Sequence, residues 1–140
     1  MIFHIYTDGG ARGNPGIAGF GVVIYNQNHH LIHQESKFLG IKTNNEAEYL
    51  ALISALTWIK EHLKDLTPQK LLFYSDSQLL VRQLQGSYRV KAAHLKTLHS
   101  TAKLLLDSIN TPSLFQYISR GSNNLADKLA NLAMDQPYET

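Results

Sequence analysis

The chain has 140 residues, 44% hydrophobic and 17% charged, with no cysteine and a formal net charge of +2. These values suit a single domain over residues 1–140 with a real core, and they exclude general disorder, disulfides and thiolate metal sites. The start, Met1-Ile2-Phe3-His4, lacks the regions of a signal peptide, and no apolar run approaches the roughly 20 residues that span a bilayer, so a cytoplasmic protein without a membrane partner is expected.

Phe3-His4-Ile5-Tyr6-Thr7-Asp8 reads as a strand over residues 2–8 that closes on Tyr, a small hydroxyl residue and Asp. Gly9 to Gly16 is rich in turn formers and is expected to be a loop, with Gly13 and Gly16 serving its turns. Residues 18–25 and 31–39 form two further strands, and the spacer Asn26-Gln27-Asn28-His29-His30 makes them an antiparallel hairpin. His29, His30 and His33 read as polar surface rather than as a transition-metal site. Residues 45–63 carry the clearest helical pattern: Ala47, Ala51, Ala55, Trp58 and Ile59 make one stripe, widened by Leu52, Leu56 and Leu63, which puts Trp58 in the core. Asn44 or Asn45 is the natural N-cap, with Thr43 next in line. Leu71-Leu72-Phe73-Tyr74-Ser75-Asp76 repeats the first motif and gives a strand over 70–75. A short helix from Ser77 to Gln85 is stopped by Gly86, and a long helix covers 92–108. A fifth strand covers 114–119 and a last helix 124–134, with Ala126, Leu129, Ala130 and Ala133 at helical spacing.

A strand meander followed by crossovers gives an α/β fold with a mixed five-stranded sheet, three antiparallel strands then two parallel, flanked by helices. The fourth strand pairs parallel to the first, whose edge is the free one, and this brings Asp8 and Asp76 together. Unpaired buried carboxylates are costly, and hard divalent cations with oxygen ligands compensate them. Glu48 shares a helix face with Leu52, Ala55 and Ile59 and points toward the core. Glu46 looks outward and complements the helix dipole, a contribution of about 0.3–1 kcal/mol. Asp127 starts the last helix, where alone the dipole reading is as good as a functional one. Together Asp8, Glu48, Asp76 and Asp127 could line one cavity, which suits two divalent ions about 3.5–4 Å apart in an in-line phosphoryl displacement.

Four ordered motifs carry a resemblance: Asp8-Gly9-Gly10-Ala11-Arg12-Gly13-Asn14-Pro15-Gly16, Thr43-Asn44-Asn45-Glu46-Ala47-Glu48, Ser75-Asp76-Ser77-Gln78 and Asn124-Leu125-Ala126-Asp127. From the first strand to residue 134 the chain resembles ribonuclease H of type 1, and Gly86-Ser87-Tyr88-Arg89-Val90-Lys91 and Ala126-Asp127-Lys128-Leu129-Ala130 resemble its short, reverse-transcriptase-like branch. The resemblance implies an endonuclease that cuts the RNA strand of an RNA–DNA hybrid, leaving 5′-phosphate and 3′-hydroxyl ends. Asp8, Glu48, Asp76 and Asp127 are implied as catalytic ligands of Mg²⁺ or Mn²⁺, two ions per site with substrate. Gly9, Asn14, Asn44, Asn45 and Gln78 are implied as hybrid contacts, and Thr43 as a residue that helps hold a DNA phosphate near a helix N-terminus.

Two departures stand out. Long-form bacterial relatives carry a basic, Trp-rich protrusion where Gly86 to His94 here has only Arg89 and Lys91 and no Trp, so weak hybrid binding is expected. They also carry a mobile His after the fifth strand; Ser119-Arg120-Gly121-Ser122-Asn123 has none, and Arg120 is either its catalytic substitute or a surface residue. Tyr88, Arg89 and Lys91 are equally a nucleic-acid contact or a solvated connector. The competing function is a non-catalytic nucleic-acid-binding module of the same fold, which intact acids disfavour.

Overall fold

The computed structural model describes residues 1–136; the last four positions of the expected 1–140 domain lie outside the described residues. The elements are β1 (Ile2–Arg12), β2 (Gly16–Tyr25), β3 (Leu31–Lys42), α1 (Asn44–Glu61), α2 (Leu63–Leu66), β4 (Lys70–Ser75), α3 (Gln78–Gln85), α4 (Ala93–Ile109), β5 (Ser113–Tyr117), a 3₁₀ turn (Arg120–Ser122) and α5 (Asn124–Asp135). The sheet order is β3-β2-β1-β4-β5. β1, β2 and β3 are antiparallel neighbours, whereas β4 is parallel to β1 and β5 to β4, as the meander and crossovers require. Among the described residues, no helix is long and apolar enough to cross a membrane.

Alternation along the strands divides the sheet into two faces. Phe3 and Ile5 of β1, Phe20, Val22 and Ile24 of β2, and Leu71 and Phe73 of β4 join Leu52, Leu56 and Ile59 of α1 in one buried cluster. α5 lies against the opposite face. α3 starts at a Ser77 cap, whose hydroxyl accepts from Leu80 N, and ends at Gly86 with φ 83°, a left-handed stop that favours glycine.

Several boundaries differ from the sequence reading. β1 does not end at Asp8: Gly9 to Arg12 continue the strand, pairing from Gly9↔Phe20 to Arg12↔Ile17, and the loop shrinks to the turn around Gly13, whose φ is 94°. Local turn propensity loses there to the backbone ladder with β2. β3 likewise reaches Lys42, and β5 runs from Ser113 to Tyr117. The α1 cap is Thr43, not Asn44 or Asn45. Its hydroxyl accepts from Glu46 N at 3.1 Å, while Glu46 Oε1 accepts from Thr43 N at 2.9 Å. A Glu three residues after Thr makes this reciprocal box possible; Asn44 has Ala47 at that spacing, and the Glu48 that follows Asn45 by three accepts from Gly9 N instead. Glu46 therefore has a specific partner beyond the helix dipole. α1 stops at Glu61, and Leu63 belongs to a separate single turn. Trp58 is only partly buried, with its indole stacked against His33 at 4.3 Å and His62 at 4.2 Å. His33 also meets Glu35 at 3.0 Å, so it is a packed side chain rather than free polar surface.

Candidate active site

Asp8 and Asp76 stand one residue beyond the parallel pair Thr7↔Ser75, so the register of β1 and β4 alone sets them side by side. Glu48 arrives from the first turns of α1. That helix lies so close to β1 that a Cβ on Gly9 would overlap the Ala47 carbonyl and come within 2.6 Å of Glu48 N. The same contact lets Gly9 N–H donate to Glu48 Oε1 at 2.8 Å. Asp8, Glu48 and Asp76 each offer a carboxylate oxygen within 4.8 Å of the others'. Asp8 and Glu48 are 5% and 7% exposed, so these are buried carboxyl groups rather than a solvated acidic patch.

Asp127 comes from the opposite side of the sheet. A Cβ on Gly21 would overlap the Ala126 carbonyl and lie 2.7 Å from Leu129 Cβ, so only glycine lets α5 settle this deeply on β2. Asp127 is half-buried and lines, with Asp8, Arg120, Asn44 and Arg12, a cleft of about 210 Å³. It borders Asp8 without joining the tight group of three.

The electrostatics are those of a site short of positive charge. Asp8 is pushed up to about 8, first by burial, then by Asp76 and Asp127. Burial raises Glu48 well above the usual carboxylate range, with Asp8 and Asp76 adding to it, while the Gly9 N–H and Arg120 pull the other way. Burial also raises Asp76, against its contact with Asp8 and the charge of Arg120. Among the described residues Asp76 Oδ2 is buried without a hydrogen-bond partner. Converging oxygen donors, one of them orphaned, fit a hard divalent cation.

Of the expected substrate contacts, Gly9 and Asn44 line this cleft. Asn14 Oδ1 accepts from Asn44 N at 3.0 Å, and Asn44 Oδ1 accepts from Ala11 N at 2.7 Å. The two residues thus lock the β1–β2 turn to the start of α1 through their carbonyl oxygens, leaving amide donors for a ligand. Asn45 on α1 and Gln78 at the start of α3 are exposed, Thr43 is the cap described above, and Gly9 lines the cleft. Arg120 is exposed but sits in a 3₁₀ turn, not in an irregular loop.

The sequence did not single out Asn123. It is 1% exposed, and its Nδ2 donates to Thr7 O at 2.9 Å, tying the start of α5 to β1 one residue before Asp8. A polar residue preceding a helix reads only as a cap; nothing in its spacing points to a partner so distant in the chain.

Comparisons with known proteins agree with the fold. Residues 6–133 match the model of a family described as reverse transcriptase-like. The chain is 38% identical to a bifunctional protein of Mycobacterium tuberculosis over 94% of its own length but 35% of that protein's. It is 36% identical to ribonuclease HI of Halobacterium salinarum over 94% of this chain and 64% of that one. LC11-RNase H1, isolated from compost, is 41% identical, with 98% of both chains covered and a TM-score of 0.92. A crystal structure of LC11-RNase H1 in complex with an RNA/DNA hybrid gives the same TM-score of 0.92, with 98% of this chain and 99% of that one covered. The chain thus spans about a third of the mycobacterial relative and nearly all of the compost enzyme.

Proposed function

This chain belongs to the reverse transcriptase-like family, within the type 1 ribonucleases H, and we propose that it is an endonuclease cleaving the RNA strand of RNA–DNA hybrids. The observation that carries this reading is the buried group Asp8, Glu48 and Asp76, with Asp127 at its border. Asp8, Glu48, Asp76 and Asp127 would hold Mg²⁺ or Mn²⁺, two ions with substrate, and the bound metal would supply an activated water and neutralise charge on the scissile phosphate.

The chain's own residues provide the rest. Register, not side-chain reach, aims Asp8 and Asp76, so their carboxylates are preorganised by the sheet. The Gly9 N–H fixes one oxygen of Glu48, and the carboxylate keeps an oxygen within 4.8 Å of those of Asp8 and Asp76. Asn123 holds the start of α5, and with it Asp127, against β1. The amide N–H groups of Asn14 and Asn44 can donate at the minor groove, and the amides of Asn45 and Gln78 can both donate and accept there, where 2′-hydroxyls distinguish RNA from DNA. Thr43 would place a DNA phosphate near the N-terminus of α1. Cleavage by this route leaves a 5′-phosphate and a 3′-hydroxyl.

A gel assay on matched hybrid, double-stranded RNA and double-stranded DNA, with and without Mn²⁺, tests the proposal. The expected result is metal-dependent loss of the RNA strand of the hybrid alone. Binding of hybrid without cleavage under all metal conditions would instead identify a non-catalytic module.

A further inference from the structure

The sheet face that carries the acids is only partly covered by α5. Along β1, His4, Tyr6 and Asp8 share this face, and along β4 Tyr74 precedes Asp76 on it. Tyr6 stacks on Tyr74 with centroids 4.6 Å apart and meets Tyr25 edge-on at 5.8 Å. His4 lengthens the row: its Nδ1 lies 2.9 Å from the Tyr74 hydroxyl, and His29 stacks on its ring at 5.1 Å. Between Tyr6, Tyr25 and His29 on one side and Ser122 to Ala126 on the other is a cavity of about 420 Å³. That lies within the range of small-ligand sites, about 300–1,000 Å³.

His29 supports a built surface. Its φ is 61°, a left-handed backbone that is uncommon for a residue with a side chain. Asn26 braces it: its Oδ1 accepts from both Asn28 N and His30 N, and its carbonyl accepts from His29 N. The β2–β3 turn is thereby bent so that an imidazole covers the end of the aromatic row.

We propose that this cavity binds one unpaired base of the RNA strand where that strand runs single-stranded away from the acids, the base stacking on the Tyr25 ring with its edge toward Asn124. Aromatic faces take any base by stacking, and an exposed amide at the rim both donates and accepts. A lining of rings, hydroxyl and amide suits a flat, polar-edged ring better than an aliphatic side chain. The row is continuous with Asp8 and Asp76 along two strands, so a strand leaving the acids meets it directly. The choice of RNA rests on the hybrid-cleavage reading; the base-binding chemistry does not.

The test uses the whole protein in EDTA and a short single-stranded RNA carrying 2-aminopurine, whose fluorescence is quenched when it stacks. Wild type and Tyr25→Phe should quench the probe. Tyr25→Leu and His29→Ala should weaken binding roughly tenfold or more, on the scale of losing a stacking aromatic. Tyr25→Leu should still cleave a blunt hybrid in Mg²⁺ as wild type does, which also shows that it is folded. No quenching by wild type, or equal quenching by both weakened variants, would overturn the proposal. So would a dimer in sedimentation that the same substitutions dissolve without any probe binding. Absence of quenching with hybrid cleavage intact sinks this inference alone; quenching without cleavage sinks the nuclease reading alone.

Discussion

Arg120 is an exposed cation that lines the cleft with Asp8 and Asp127, and its charge reaches Glu48 and Asp76. A guanidinium stays protonated at any working pH, so it cannot serve as a base. It can stabilise charge that develops on the scissile phosphate. If it does so, Arg120→Ala should lower kcat by roughly tenfold or more with little change in KM, whereas anchoring a phosphate would raise KM instead. Steady-state kinetics on a hybrid separate the two, and unchanged values of both would leave Arg120 as surface. At this scale the acids were legible because chemistry constrains them: a carboxylate at the end of an apolar strand, or on the inner face of a helix, has no cheap structural reason. Asn123 was not, since its importance is a tertiary hydrogen bond to Thr7. The Thr43–Glu46 box was available in the spacing, but two asparagines at the same boundary competed for the cap.

The elements meet where side chains are missing. Gly9 lets α1 approach β1 and Gly21 lets α5 approach β2, and each approach delivers one acid. Gly9→Ala and Gly21→Ala put a methyl into neighbouring backbone, which cannot yield as a flexible side chain would. Each should destabilise the protein by at least about 1–3 kcal/mol, read as a lower urea midpoint. Each should also reduce cleavage at temperatures where the variant remains folded, because Glu48 or Asp127 is pushed out of place. A Gly9→Ala variant with wild-type stability and activity would show that the α1–β1 approach is not what positions Glu48. The strand order and the parallel pairing of β1 with β4 were readable from the succession of elements. The continuation of β1 through Gly9 to Arg12 was not, because glycine-rich sequence signals a turn unless long-range pairing with β2 and close helix packing overrule it.

Across the whole molecule, the buried acids couple folding to pH and to metal. The Asp8 carboxyl rises from the ordinary 3.8 to about 8, and Glu48 and Asp76 shift in the same direction. Between those two values the folded, metal-free protein binds more protons than the unfolded chain, so its stability must fall as the pH rises through that window. The urea midpoint in EDTA should therefore drop between about pH 5 and about pH 8, and Asp8→Asn should flatten the drop. Millimolar Mg²⁺ or Mn²⁺ should restore stability at the alkaline end, because metal binds the deprotonated acids of the folded state alone. A melting temperature unmoved by either ion would count against a metal site. The central claim is that Asp8 and Asp76 carry metal-dependent cleavage of a hybrid, and the most direct measurement sets Asp8→Asn and Asp76→Asn beside wild type on a labelled RNA–DNA duplex at matched Mg²⁺. The amides keep the shape of the carboxylates but cannot bring their charge to a hard cation. Both variants should fold and leave the RNA uncut, while either one cleaving within about tenfold of wild type would contradict the account.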